Sequence, residues 1–111
     1  MKRITLLILL ITFAFAGLHA QTPFSFNDLV NARRVGDPQL SPDGRWVAYT
    51  IGVVNKAENR TLTQIYRMRM DGSDQKQLTS GTTSHSSPRW SPDGKHIAYT
   101  SGGQIWTMEN D

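Results

Sequence analysis

The decapeptide "SPDGRWVAYT" at residues 41–50 returns as "SPDGKHIAYT" at residues 91–100, with seven of ten positions identical. Two of the three differences exchange like for like, Arg45 for Lys95 and Val47 for Ile97, and the third sets His96 against Trp46. A fifty-residue period marks chains that stack one supersecondary unit on the next, because a single unit of this size cannot bury its own apolar face. Whatever the chain folds into has to contain the same corner twice.

The corner itself is legible. In Ser41-Pro42-Asp43-Gly44 the serine can bond locally, the proline fixes its own φ, and the glycine suits a left-handed position after a type I turn, so a hairpin is expected. Leu40 begins a strand before it, and "RWVAYTI" is a strand after it, rich in β-branched and aromatic residues. A loop is expected from Gly52 to about Thr63, then a third strand in "QIYRMRM", a tight turn at Asp71-Gly72, and a fourth strand in "QKQLT". From Pro88 the order repeats through "RW", the corner, "KHIAYTS", Gly102-Gly103 and "QIWTMEND". Gln64-Ile65-Tyr66 corresponds to Gln104-Ile105-Trp106 at an offset of forty, so the first unit carries ten extra residues in its second hairpin. Both faces of "RWVAYTI" are largely apolar, as in a sheet covered on each side. Four antiparallel strands in about forty to fifty residues make one propeller blade. The expected fold is all-β: a partial β-propeller of one full four-stranded blade (38–87) and three strands of a second (88–111). A two-sheet sandwich is the competing fold.

Residues ahead of the repeats read differently. Lys2 and Arg3 precede an uncharged apolar run from Ile4 to Gly17, and small residues follow before "QTPFSF". That pattern fits a signal peptide over 1–20, cut after Ala20 or, as a second possible site, after Ala16. A spanning helix competes, but the run is shorter than the roughly 20 residues a bilayer core requires. Export to a periplasmic or extracellular location is therefore expected, with no membrane attachment after cleavage. Residues 21–37 form a lead-in with a short helix: Ser25 or Asn27 caps it, Asp28 sits in the first turn, Leu29, Val30 and Arg33 follow, and Gly36 and Pro38 end it. Arg33 and Arg34 are read as its C-terminal turn, favoured by the helix dipole.

Removing the leader takes Lys2 and Arg3 with it and leaves ten basic against nine acidic residues. No cluster of lysine and arginine then resembles a phosphate-binding stripe, so nucleic acid is not an expected partner. With no cysteine, neither a disulfide frame nor a thiolate zinc site is available.

Catalytic chemistry is sparse. No G-x-S-x-G pentapeptide presents a serine on a tight turn. His85 lies among Ser84, Ser86 and Ser87 in "SGTTSHSSP", which reads as a polar loop between blades, and His96 reads as a strand side chain. Asp43, Asp71, Asp93 and Asp111 could be imagined as calcium ligands, but each stands in a corner where aspartate favours the turn itself. Gly102-Gly103 precedes a strand, so it is no phosphate loop. Asn59-Arg60-Thr61 matches a glycosylation acceptor. No residue is assigned a catalytic, cofactor-binding or metal-binding role.

Energetics make a longer chain the expectation. Trp46, Tyr49, Trp90, Tyr99 and Trp106 would each bury roughly 150–250 Å² in a packed blade. Leaving two or three half exposed removes about 5 kcal/mol, comparable with the ~5–15 kcal/mol that holds a whole domain. Residues 21–111 alone are expected to lack a cooperative fold or to associate through open sheet edges.

The units "P-x-[LW]-S-P-D-G-[RK]-x-[VI]-A-Y-T", with "QIY" or "QIW" one hairpin later and "QLT" closing the blade, resemble TolB-type propeller repeats and the propeller of prolyl-oligopeptidase-family serine peptidases. The lead-in "NDLVNARRVGDPQLSPDGRWVAYT" is similar to the mature start of the dipeptidyl-peptidase and acylaminoacyl-peptidase branch. That resemblance implies an exported serine peptidase in which a propeller gates or positions peptide substrates for an α/β-hydrolase domain carrying Ser, Asp and His in that chain order. None of those catalytic positions maps onto residues 1–111, which are themselves expected to be non-catalytic. The alternative is the start of a non-enzymatic TolB-type periplasmic propeller that binds protein partners.

Overall fold

The computed structural model describes residues 22–111, and the segment read as a signal peptide lies outside them. Helix α1 spans Phe26–Asn31. Ser25 caps it through a reciprocal box: the Asp28 amide donates to Ser25 Oγ at 3.2 Å, and the Ser25 amide donates to Asp28 Oδ2 at 2.8 Å. The helix stops earlier than the sequence suggested, because Ala32 already has extended backbone at ψ 131°. Neither Arg33 nor Arg34 is in its last turn, and Arg34 opens the first strand.

Two antiparallel sheets follow. The first contains β1 (Arg34–Leu40), β2 (Trp46–Asn55), β3 (Arg60–Arg69) and β4 (Lys76–Gln77) in sequential order. The second contains β5 (His85–Trp90), β6 (His96–Ser101) and β7 (Gln104–Glu109), also in sequential order. This is one four-stranded blade and three strands of the next, an all-β partial propeller.

Three local expectations change. First, β1 begins at Arg34 and runs through Gly36 and Pro38, which the sequence presented as terminators. The ladder slips between Gly36 and Gln39, and Asp37 sits in this bulge at φ 45°. A bulge on an edge strand tolerates a proline, which has no amide to contribute. The second sheet repeats the device fifty residues on: its ladder slips between Ser86 and Arg89, with Ser87 at φ 55° before Pro88. Second, the segment expected to be a loop from Gly52 to Thr63 is a continuous ladder. β2 and β3 pair from Trp46 opposite Arg69 to Asn55 opposite Arg60, so the extra ten residues lengthen the hairpin into an arm. Third, His85 is the first residue of β5, not part of a polar loop.

The corners have one geometry in both sheets. The Ser41 amide donates to the Trp46 carbonyl at 2.8 Å, and the Trp46 amide donates back to Ser41 Oγ at 3.0 Å. Ser91 and His96 do the same, His96 donating to Ser91 Oγ at 3.0 Å. Gly44 and Gly94 both lie at φ 72°, where a side chain is strained. Residues directly opposite in a ladder share a face. Trp46, Ala48 and Thr50 of β2 therefore lie with Arg67 and Ile65 of β3 on one side of the first sheet, and that side meets the second sheet. Ala48, Ile65 and, from the second sheet, Ile97 are fully enclosed there.

Candidate functional site: the seam between the sheets

The seam is held at three levels. On the β1 side, the Trp90 indole Nε1 donates to the Gln39 carbonyl at 2.8 Å, and Arg89 Nη1 reaches both Asp37 oxygens at 3.0 and 3.1 Å. The Asp37 bulge places its carboxylate for this contact, and Gln39 Nε2 donates to the same carboxylate at 2.9 Å. Because the Arg89–Asp37 pair is substantially exposed, it contributes about 0.2–1 kcal/mol at most.

At the corner end, Arg67 is only 5% exposed and donates to Asn110 Oδ1 across the seam. Its guanidinium carbon lies 4.2 Å from the Trp46 ring centroid, and that of Arg69 lies 4.5 Å from the same ring. The indole face takes both cations; Arg69 also has the Asp74 carboxylate at 3.9 Å, whereas Arg67 has no carboxylate within salt-bridge distance among the described residues. Arg67 Nε is buried without a hydrogen-bond partner.

At the opposite end, Gln64 joins β3 to the start of β5. Its Nε2 donates to the carbonyls of Thr83 at 3.0 Å and Gly81 at 3.4 Å, which can only accept. The amide orientation follows, and Oε1 faces the Thr79 hydroxyl at 2.7 Å and His85 Nδ1 at 3.0 Å. Thr79 Oγ1 in turn accepts from the Ile65 amide at 2.9 Å. Since Gln64 Oε1 is an acceptor, the proton of a neutral His85 is on Nδ1. The imidazole packs 5.6 Å from the Tyr99 ring.

This arrangement joins sheets and does not assemble a nucleophile. Ser84 Oγ accepts from the Thr63 amide at 3.1 Å, and Ser86 Oγ is 3.1 Å from Thr100 Oγ1, so two of the three serines beside His85 are bonded elsewhere. His96 is an exposed residue at the start of β6. Asp43 accepts from Ser41 Oγ at 2.6 Å and from the Arg45 amide at 3.1 Å. Asp93 accepts from Ser91 Oγ at 2.5 Å and from the Lys95 amide at 3.0 Å, and Asp71 from Ser73 Oγ at 2.6 Å and the Ser73 amide at 2.9 Å. In all three the neighbouring serine hydroxyl, followed by the backbone amide, holds the carboxyl below its ordinary value of 3.8. Asp111 is exposed, and its carbonyl accepts from Lys76 Nζ at 3.2 Å. Sequence reasoning singled out none of Gln64, Thr79, Arg67 or Asn110. Recurrence of Gln-Ile one hairpin after each corner was the available signal for Gln64.

The chain is 42% identical over 62 residues to dipeptidyl-peptidase 5 of Porphyromonas endodontalis, a match that covers 56% of this chain and 9% of that protein. It is 35% identical over 57 residues to dipeptidyl-peptidase 5 of Porphyromonas gingivalis, covering 51% of this chain and 8% of that one. Among solved structures, the acylaminoacyl peptidase of Pyrococcus horikoshii superposes with a TM-score of 0.61 at 26% identity, over 73% of this chain and 13% of that one. The likeness is to propeller sequence of the prolyl-oligopeptidase family. No family model matches the chain. It spans less than a tenth of the length of the curated relatives it matches.

Proposed function

We propose that these residues belong to the propeller of an exported serine peptidase that releases short peptides from the N-termini of its substrates. The observation that carries this reading is the 42% identity to a dipeptidyl-peptidase across more than half of the chain. The seam supports the propeller's part in it. Sheets clamped face to face at three levels form a rigid wall, which suits a structure that admits extended peptides and excludes folded proteins. Hydrolysis belongs to an α/β-hydrolase domain, whose serine attacks the peptide carbonyl, whose histidine moves the proton and whose acid orients that histidine. The apolar leader delivers the enzyme to the periplasm or beyond.

Sequencing the gene past codon 111 tests this directly. A G-x-S-x-G several hundred residues downstream, with Asp and then His after it, is the expected result. A stop codon soon after the last blade would select a partner-binding propeller instead. With the full product purified, release of a chromogenic dipeptide and its loss on replacing the elbow serine by alanine is the matching biochemical outcome.

A further inference from the structure

The ten extra residues of the first sheet create a surface that the second sheet lacks. β1 pairs with β2 no further than Arg34 opposite Gly52, whereas β2 continues to Asn55. From Val53 to Asn55 the arm therefore has no strand on its β1 side, and α1 faces it across a groove. A groove of about 500 Å³ lies between helix and arm. Phe26, Val30 and Val54 supply its apolar lining, and Arg34, Lys56 and Arg60 supply cations. Phe26 is 78% exposed.

The charges around the groove are unbalanced. Glu58 is spent on Arg60, and Asp28 is spent on the Ser25 capping box. Neither Arg34 nor Lys56 has an acidic partner within salt-bridge distance among the described residues. We propose that this groove docks an acidic, extended segment of another polypeptide, with apolar side chains against Phe26, Val30 and Val54 and carboxylates on Arg34 and Lys56. The open edge of β2 favours an extended backbone, because a strand laid there takes up main-chain groups that β1 leaves unpaired. A concave groove with two free cations suits one peptide strand better than a lipid surface, which meets a convex apolar face. This docking surface is independent of the peptidase reading, since it rests on the arm and helix alone.

The test uses the full chain and two fluorescein-labelled heptapeptides, one alternating glutamate with leucine and one alternating glutamine with leucine, read by anisotropy. The glutamate peptide is expected to bind roughly tenfold more tightly than the glutamine peptide, and the preference is expected to shrink as salt is raised. The Arg34→Glu/Lys56→Glu double variant should lose that preference, while Arg45→Glu, which reverses an exposed charge outside the groove, should keep it. Thermal melts of both variants identify any loss that is due to unfolding, and Phe26→Ala, which removes only lining, should weaken both peptides together. Equal affinity for the two peptides, no saturable binding, or an equal loss in Arg45→Glu would overturn the proposal. So would binding of the double-variant-sensitive kind to phosphatidylglycerol vesicles without binding to the glutamate peptide, which would assign the surface to a membrane.

Discussion

Ile65 in β3 and Ile105 in β7 hold the same place in two sheets that turn the same corners, yet Ile65 is 0% exposed and Ile105 is 78% exposed. Ala48 and Ala98 differ in the same direction, enclosed in the first sheet and half-buried in the second. Local sequence cannot be the cause, because "AYT" and "QI" are common to both. The difference is the neighbour: the first sheet's face carrying Ile65 is covered by the second sheet, and the corresponding face of the second sheet meets nothing among the described residues. In this architecture a residue's burial belongs to the pair of sheets, whereas the turn, the ladder and the bulge belong to the single sheet. The same division explains Arg67, which the seam buries, against Thr107 at the matching position, which is exposed.

Truncating the two isoleucines gives the largest test of this asymmetry. Ile65→Ala removes a fully enclosed side chain and should cost about 2–5 kcal/mol, whereas Ile105→Ala should change stability by less than about 0.5 kcal/mol in residues 22–111 alone and should become costly in a longer propeller whose next sheet covers it. Denaturation midpoints of the two variants, measured side by side, check it. Comparable losses in residues 22–111 alone would break the comparison, whereas comparable losses in a longer propeller would show a further sheet on the face of Ile105.

A smaller effect is expected at the matched glutamines. Gln64 satisfies Thr79, Thr83 and His85 at once, and Gln64→Ala leaves buried partners unmet, at a cost of about 1–3 kcal/mol. Gln104 is exposed, and Gln104→Ala should be nearly silent in residues 22–111 alone. Hydrogen exchange sharpens the point: the Ile65 amide, which donates to Thr79, should lose protection in Gln64→Ala, while the β6–β7 ladder keeps its own. Uniform loss of protection across both sheets would show that Gln64 supports the whole fold and not the seam.

What could be read from the letters follows the same line between one sheet and two. Both corners were legible because Ser, Pro, Asp and Gly each act within four residues. The strand order was legible because apolar runs alternate with turn residues. Pro38 was misread, since a proline ends a central strand but is accommodated at a bulge on an edge strand, and edge position is a property of the assembled sheet. The arm was misread as a loop because "NKAENR" carries turn residues, while the ladder on either side depends on cross-strand pairs that no local window contains. The seam was hardest to see. Gln64, Thr79 and His85 lie far apart in the chain and become a network only once the second sheet has docked on the first.

The smallest expected effect tests the part of the molecule where the sheets should not differ. Asp43 and Asp93 are both held below 3.8, foremost by the hydroxyls of Ser41 and Ser91 and then by the amides of Arg45 and Lys95. A carboxyl whose folded value is depressed contributes stability that is fully present above its unfolded value and is lost as pH falls through the lower folded one. Stability should therefore decline as pH drops below 3.8, and Asp43→Asn and Asp93→Asn should each flatten that decline by the same small amount. Asparagine keeps a neutral acceptor for the serine hydroxyl and the amide but not the charge, so each variant should lie slightly below the parent at neutral pH and converge with it at low pH. Equal flattening, followed as denaturation midpoint against pH, would place the corners with the single sheet. Unequal flattening would mean that docking reaches even the turns, and the division drawn from Ile65 and Ile105 would have to be redrawn further from the seam.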